Sequence, residues 1–140
     1  LKSIIVNKGS KSGVKKGMPV IEQSYLVGRV VETNFFSSRI LLLNDLNSRI
    51  PVVVEGSNAQ AILMGTGENF PILEYLPEFF KPNQNETVFT SGKDGIFPAG
   101  LPVGNILESE KLTYVKLFSD SSQLSFVNII LVEPNKRMDF

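Results

Sequence analysis

Gly9-Ser10-Lys11-Ser12-Gly13-Val14-Lys15-Lys16-Gly17-Met18-Pro19-Val20 is a glycine-punctuated turn that runs into a strand. It has an echo in Ser91-Gly92-Lys93-Asp94-Gly95-Ile96-Phe97-Pro98-Ala99-Gly100-Leu101-Pro102-Val103. In each copy a glycine-bracketed turn leads to an apolar residue, then Pro, then Val. Glycine permits positive φ in such turns, and proline enters a strand without needing a ladder donor. The echo continues downstream. Gly28-Arg29-Val30-Val31-Glu32 resembles Gly104-Asn105-Ile106-Leu107-Glu108, and 45–54 resembles 120–132. Self-similarity over a long period means that one supersecondary unit is used twice, here with length changes.

Taken alone, Gly9 to Val20 could be a ligand loop, since it is Gly-rich and basic. Its twin carries Phe97, Pro98 and Ala99 instead of lysines. A phosphate cradle does not survive that exchange, whereas a structural turn opening a barrel does.

Outward from these turns, apolar and β-branched runs at 4–6, 18–22, 26–32, 39–43, 50–55, 60–64, 70–76, 87–91, 101–107, 113–118 and 125–133 predict strands. Gly28 marks a bulge or a close backbone approach, and Pro51 suits an edge or the first residues of its strand. No helical periodicity lasts a full window. The fold class is therefore all-β, as two small β-barrel-like subdomains related by the degenerate repeat. We place them at 1–65 and 66–140. The break falls between 65 and 86, and the terminal strands are able to pair across it.

The 140 residues carry 14 basic and 14 acidic side chains, a formal net charge of +0 that does not advertise nucleic-acid binding. With 42% hydrophobic residues the chain can bury a real core. There is no His and no Cys. That removes the Ser-His-Asp triad, thiol nucleophiles, disulfides and nearly every zinc site. Cysteine absence fits the cytosol or a periplasmic protein equally. No run approaches a membrane span or a signal peptide. A start at Leu1 rather than Met leads us to expect a fragment or a processed product.

The chain carries few motifs that point to chemistry. Gly65-Thr66-Gly67 lacks the third glycine and the βαβ context of a dinucleotide loop. Asp45, Asn47 and Ser48 read as a self-capping turn rather than a calcium loop, because the alternating acidic ligands are missing. Glu22, Glu32, Glu55, Glu68, Glu74, Asp94 and Asp120 are scattered. We assign no catalytic, cofactor-binding or metal residues. Four aromatics remain as candidates: the adjacent pairs Phe35-Phe36 and Phe79-Phe80, in loops or at element ends. They either plug barrel ends or anchor a protein partner. At least one is expected to contact a partner, and complete burial of all four would overturn that.

At this point the residues resemble a known family. Asn7-Lys8-Gly9-Ser10 with 13–20, Leu26 to Val31, Ser38 to Leu43, Asn47 to Val52, Tyr75-Leu76-Pro77, Thr90-Ser91-Gly92 and 95–104 are similar, in order, to the bacterial rod shape-determining MreC family. The resemblance covers nearly the whole chain. Asn85-Glu86 stands where a Gly-Asp is expected, and Asn105 where Arg or Lys is expected. No short motif marking partner-binding residues can be carried over.

The resemblance implies a non-enzymatic scaffold of the cell-elongation machinery that docks and regulates peptidoglycan synthesis enzymes. It implies a periplasmic core tethered to the inner membrane by an N-terminal anchor and a coiled coil outside this sequence. It implies as partners the elongation-specific penicillin-binding transpeptidase, MreD and the MreB-linked apparatus, with self-association, and neither nucleic acid nor cofactor. Two rivals stand beside it: a small-ligand or glycan-binding β-barrel module, and a carboxylate-based hydrolase on a double-barrel scaffold.

Overall fold

The computed structural model describes residues 2–81, 83–120, 124 and 127–130. Its strands are β1 Ser3–Val6, β2 Pro19–Glu22, β3 Tyr25–Thr33, β4 Ser38–Leu42, β5 Arg49–Val54, β6 Ala59–Met64, β7 Ile72–Glu74, β8 Thr87–Thr90, β9 Pro102–Glu108, β10 Thr113–Leu117 and β11 Asn128–Ile129. Each lies within or across one predicted apolar run. Of the last run, residues 125, 126 and 131–133 lie outside the described residues, as does much of the third echo, 120–132.

The strands form two antiparallel sheets. One is open, in the order β1-β4-β3-β2-β11. The other closes on itself as β10-β7-β6-β5-β8-β9, so its six strands leave no free edge. The all-β, barrel-like class is thus what the chain adopts, with one barrel complete and one half-open.

The expected division at residue 65 is corrected by strand pairing. β5 and β6, assigned to the first unit, pair with β8 and β7 in the closed barrel. The sheets hand over between Leu42 and Arg49 instead, and β11 returns to pair with β2. Turn-rich composition at 65–86 misled the placement. Such composition marks any loop, whereas sheet membership depends on which distant strand supplies the ladder.

The closed barrel is filled by one face of each strand. In β5, Ile50, Val52 and Val54 are buried and alternate with Arg49, Pro51 and Val53. In β6, Ala59, Ala61 and Leu63 do the same. They meet Leu73, Val88, Val103, Ile106 and Val115 in one core. A second core lies under the open sheet and holds Val14, Met18, Val20, Val27, Val30, Ile40 and Leu42. Leu26 and Leu43 belong to the barrel core although their neighbours Val27 and Leu42 face the other one. The run around β4 is buried on both faces for this reason.

Pro51 sits just past the last β5–β8 pair, Val52 with Thr90. Its carbonyl accepts Ser91 N–H at 3.1 Å, so its missing donor faces the end of β8 and costs no ladder bond. Gly28 lets the backbone of β4 approach closely: a Cβ there would lie 2.0 Å from the Leu41 carbonyl oxygen. Its echo Gly104 would place a Cβ 2.3 Å from the Lys116 oxygen. Both copies therefore use glycine for the same close approach.

Candidate partner-docking surface

The first Gly-rich turn and the β3–β4 hairpin build one protruding tip. Residues 10–12 form a short 3₁₀ turn closed by Gly13 in the left-handed region, at φ 85°. Ser10 N–H donates to the Asn34 carbonyl at 2.8 Å and Lys11 N–H to the Phe35 carbonyl at 3.0 Å. Gly9 is so close to Asn34 and Phe35 that no side chain fits there. The buried Ser38 hydroxyl donates to the Lys8 carbonyl at 2.6 Å.

This scaffold leaves the first aromatic pair in solvent. Phe35 is 56% and Phe36 65% exposed. Their rings meet edge to face with centroids 4.7 Å apart, and Lys11 Nζ lies 5.2 Å from the Phe36 centroid. Residues 7–18 carry four lysines, Lys8, Lys11, Lys15 and Lys16, and no acidic residue.

The second pair divides. Phe79 is 90% exposed, whereas Phe80 is half-buried against the barrel core. Phe80 N–H closes a turn onto the Pro77 carbonyl at 2.9 Å. Sequence reasoning missed other exposed apolar groups: Ile5 on the edge strand β1, Leu46, Tyr75 and Leu112. Ile5 could have been found, because an edge strand of four residues has one face to bury and one to spare.

Asp45 lies where one sheet hands over to the other. Its Oδ1 accepts Lys2 N–H at 2.6 Å and its Oδ2 accepts Asn47 N–H at 2.8 Å. Ser48 N–H donates to the Asp45 carbonyl, so 45–48 is the self-capping turn that its residue types suggested. Burial opposes the charge on Asp45. The donors from Lys2 and Asn47 outweigh it and hold the carboxyl below the usual carboxylate range.

Beside this turn a cleft of about 430 Å³ is lined by Leu43, Asn44, Phe70, Lys116 and Asp120, among others. Among the described residues, the buried Asn44 Oδ1 meets no hydrogen-bond partner. Among the described residues, Asp120 is the only carboxylate in the lining. Among the described residues no three His, Cys, Asp or Glu side chains converge to hold a metal ion. No helix among them is long and apolar enough to cross a membrane.

An open sheet joined to a closed six-stranded barrel defines the class: an all-β, β-barrel protein. The chain belongs to the MreC family, because the model of the rod shape-determining protein MreC barrel core matches residues 1–131. A cell shape-determining protein MreC of Caulobacter vibrioides is 41% identical over 128 residues, 91% of this chain and 37% of that protein. The chain thus spans little more than a third of that relative's length. A crystal structure of MreC from Pseudomonas aeruginosa superposes with a TM-score of 0.83 at 30% identity, covering 91% of this chain and 88% of that one. A complex between a penicillin-binding protein and MreC from Helicobacter pylori matches with a TM-score of 0.65 at 19% identity, over 79% of this chain and 74% of that one. This last likeness shows the fold. The Caulobacter relative is named for determining cell shape.

Proposed function

We propose that the chain is the core of a non-enzymatic periplasmic scaffold of the cell-elongation complex. It docks the elongation-specific penicillin-binding transpeptidase and biases it toward its active arrangement by binding that arrangement better. Membership of the MreC family carries this reading, and the Helicobacter complex, in which a penicillin-binding protein is bound to an MreC of the same fold, supports it. Phe35, Phe36 and Phe79, with Phe80 as the half-buried support of its loop, are the proposed partner-contacting residues. MreD, the MreB-linked apparatus and further copies of the protein complete the proposed partners. An anchor to the inner membrane, of the kind the resemblance implies, would hold the assembly in place.

A pull-down of the cognate elongation transpeptidase by the full periplasmic region tests this. Co-purification at near-stoichiometric yield is expected, and its absence would sink the docking role. A second reading, a small-ligand or glycan-binding module, is favoured by the junction cleft and the orphan Asn44 Oδ1. Calorimetric titration with peptidoglycan fragments separates the two. Heat that disappears in an Asn44→Leu variant would favour the ligand module.

A further inference from the structure

Resting on the docking role above, we propose that the tip formed by residues 8–16 and 34–37 binds an acidic segment of a partner protein. Carboxylates of that segment meet Lys8, Lys11 and Lys16, and its apolar side chains meet Phe35 and Phe36.

The charge is lopsided. Two segments far apart in sequence, 7–18 and 33–38, are joined by the backbone bonds from Ser10 and Lys11 to the hairpin. Together they present four lysines and no acidic residue. The nearest acid along the chain, Glu32, is engaged instead with Arg39, Nε to Oε2 at 3.9 Å. A tip of one sign in a chain of zero net charge selects a partner surface of the opposite sign and speeds the encounter.

The aromatics are preorganised. Backbone bonds on both segments and the Ser38 hydroxyl fix the turn, and the edge-to-face contact fixes the two rings. Little conformational freedom is left to lose on binding. The loop at 77–81 differs: only Phe79 projects there, and no comparable lysine set accompanies it.

Lys11 also argues for a protein over a lipid bilayer. Its Nζ sits over the Phe36 ring, so the charge lies at the depth of the aromatic face. Insertion of that ring into the acyl boundary would carry the ammonium toward hydrocarbon. A protein surface can supply a carboxylate and apolar contact at the same depth. Beyond the rings, the turn also borders a groove in which Lys8, Ser12 and Asn128 line the wall beside Val6, Val14 and Ile129.

The chain is labelled for amide NMR and titrated with the periplasmic region of the cognate transpeptidase. Parallel titrations use a peptide of alternating Glu and Leu, and vesicles of phosphatidylcholine and phosphatidylglycerol. Transpeptidase and peptide are both expected to shift amides of 8–16 and 34–37. A Lys8→Glu/Lys11→Glu variant is expected to weaken binding about tenfold or more. Phe36→Ser should weaken it as well, while Leu112→Ser, at an exposed apolar residue outside the tip, stays within about twofold. If the transpeptidase binds and the tip amides stay still, this inference is wrong and the docking role stands. If only the peptide moves the tip, the docking role fails and the acidic-ligand site stands. Silence of the tip toward both overturns the inference, and so does a stronger response to the vesicles than to the peptide.

Discussion

The Ser38 hydroxyl donates to the Lys8 carbonyl at 2.6 Å, across 30 residues of chain. That bond ties the lysine-bearing turn to the strand that follows the exposed aromatic pair. The second turn has an analogous pin. Thr90 Oγ1 donates to the Pro98 carbonyl at 2.6 Å and accepts Leu101 N–H at 2.9 Å. Each Gly-rich turn is thus closed by one buried hydroxyl from a β-strand.

Thr90→Val should cost about 1–3 kcal/mol, because the near-isosteric change leaves a carbonyl and an N–H without their partner. Ser38→Ala should cost a similar amount and also speed hydrogen exchange at Ser10 and Lys11. Urea denaturation and native-state exchange read the two effects. Unchanged exchange at the tip would show that Ser38 does not pin it.

Asp45→Asn should destabilise by about 1–3 kcal/mol at neutral pH, since a buried carboxylate accepts two backbone donors. The pH dependence has a definite sign. The folded carboxyl titrates below its unfolded value of about 3.9, so its stabilisation is complete above that pH. The stabilisation is lost as pH falls toward the folded value. Midpoints measured from pH 6 down to pH 2.5 should fall more steeply for the parent chain than for Asp45→Asn.

Phe79→Ser and Phe80→Ser separate surface from support. The first should change stability by less than about 0.5 kcal/mol, because Phe79 is almost wholly in solvent. The second should cost about 1–3 kcal/mol, because Phe80 packs on the barrel core. Equal losses in chemical denaturation would contradict the division of this pair.

Leu26→Ala should cost about 2–5 kcal/mol and shift a single unfolding transition rather than one of two. Leu26 is fully buried in the barrel core from a strand of the open sheet, so the two sheets lose packing together. Differential scanning calorimetry with two resolved transitions would show that the sheets unfold separately.

Gly28→Ala and Gly104→Ala should each cost more than about 1 kcal/mol, because the added methyl meets a carbonyl oxygen in the facing strand. Urea denaturation of each variant measures the loss.

Much of this was legible in residues. Ile50, Val52 and Val54 alternate with residues of the outer face, and period-2 alternation is a local property. Gly28 announced a bulge or a close backbone approach, since glycine weakens an apolar run, and the facing Leu41 carbonyl selects the second. The Phe35-Phe36 and Phe79-Phe80 pairs were visible as candidates, but not that three rings project while Phe80 turns inward. Neither hydroxyl pin could be found: Ser38 and Thr90 are ordinary strand residues until a distant carbonyl is placed beside them.

Sequence alone dictated the strands, the turns between them and the absence of His and Cys chemistry, because these depend on neighbours in the chain or on composition. Tertiary structure decided that β5 and β6 close the second barrel, that the chain divides near 42–49 and not at 65, and that the Lys11 turn meets the Phe35-Phe36 hairpin. Those outcomes rest on contacts distant in sequence, such as Val52 with Thr90 and Lys11 with Phe35, where the free energy of a ladder and a shared core selects one partner among several strands of similar pattern.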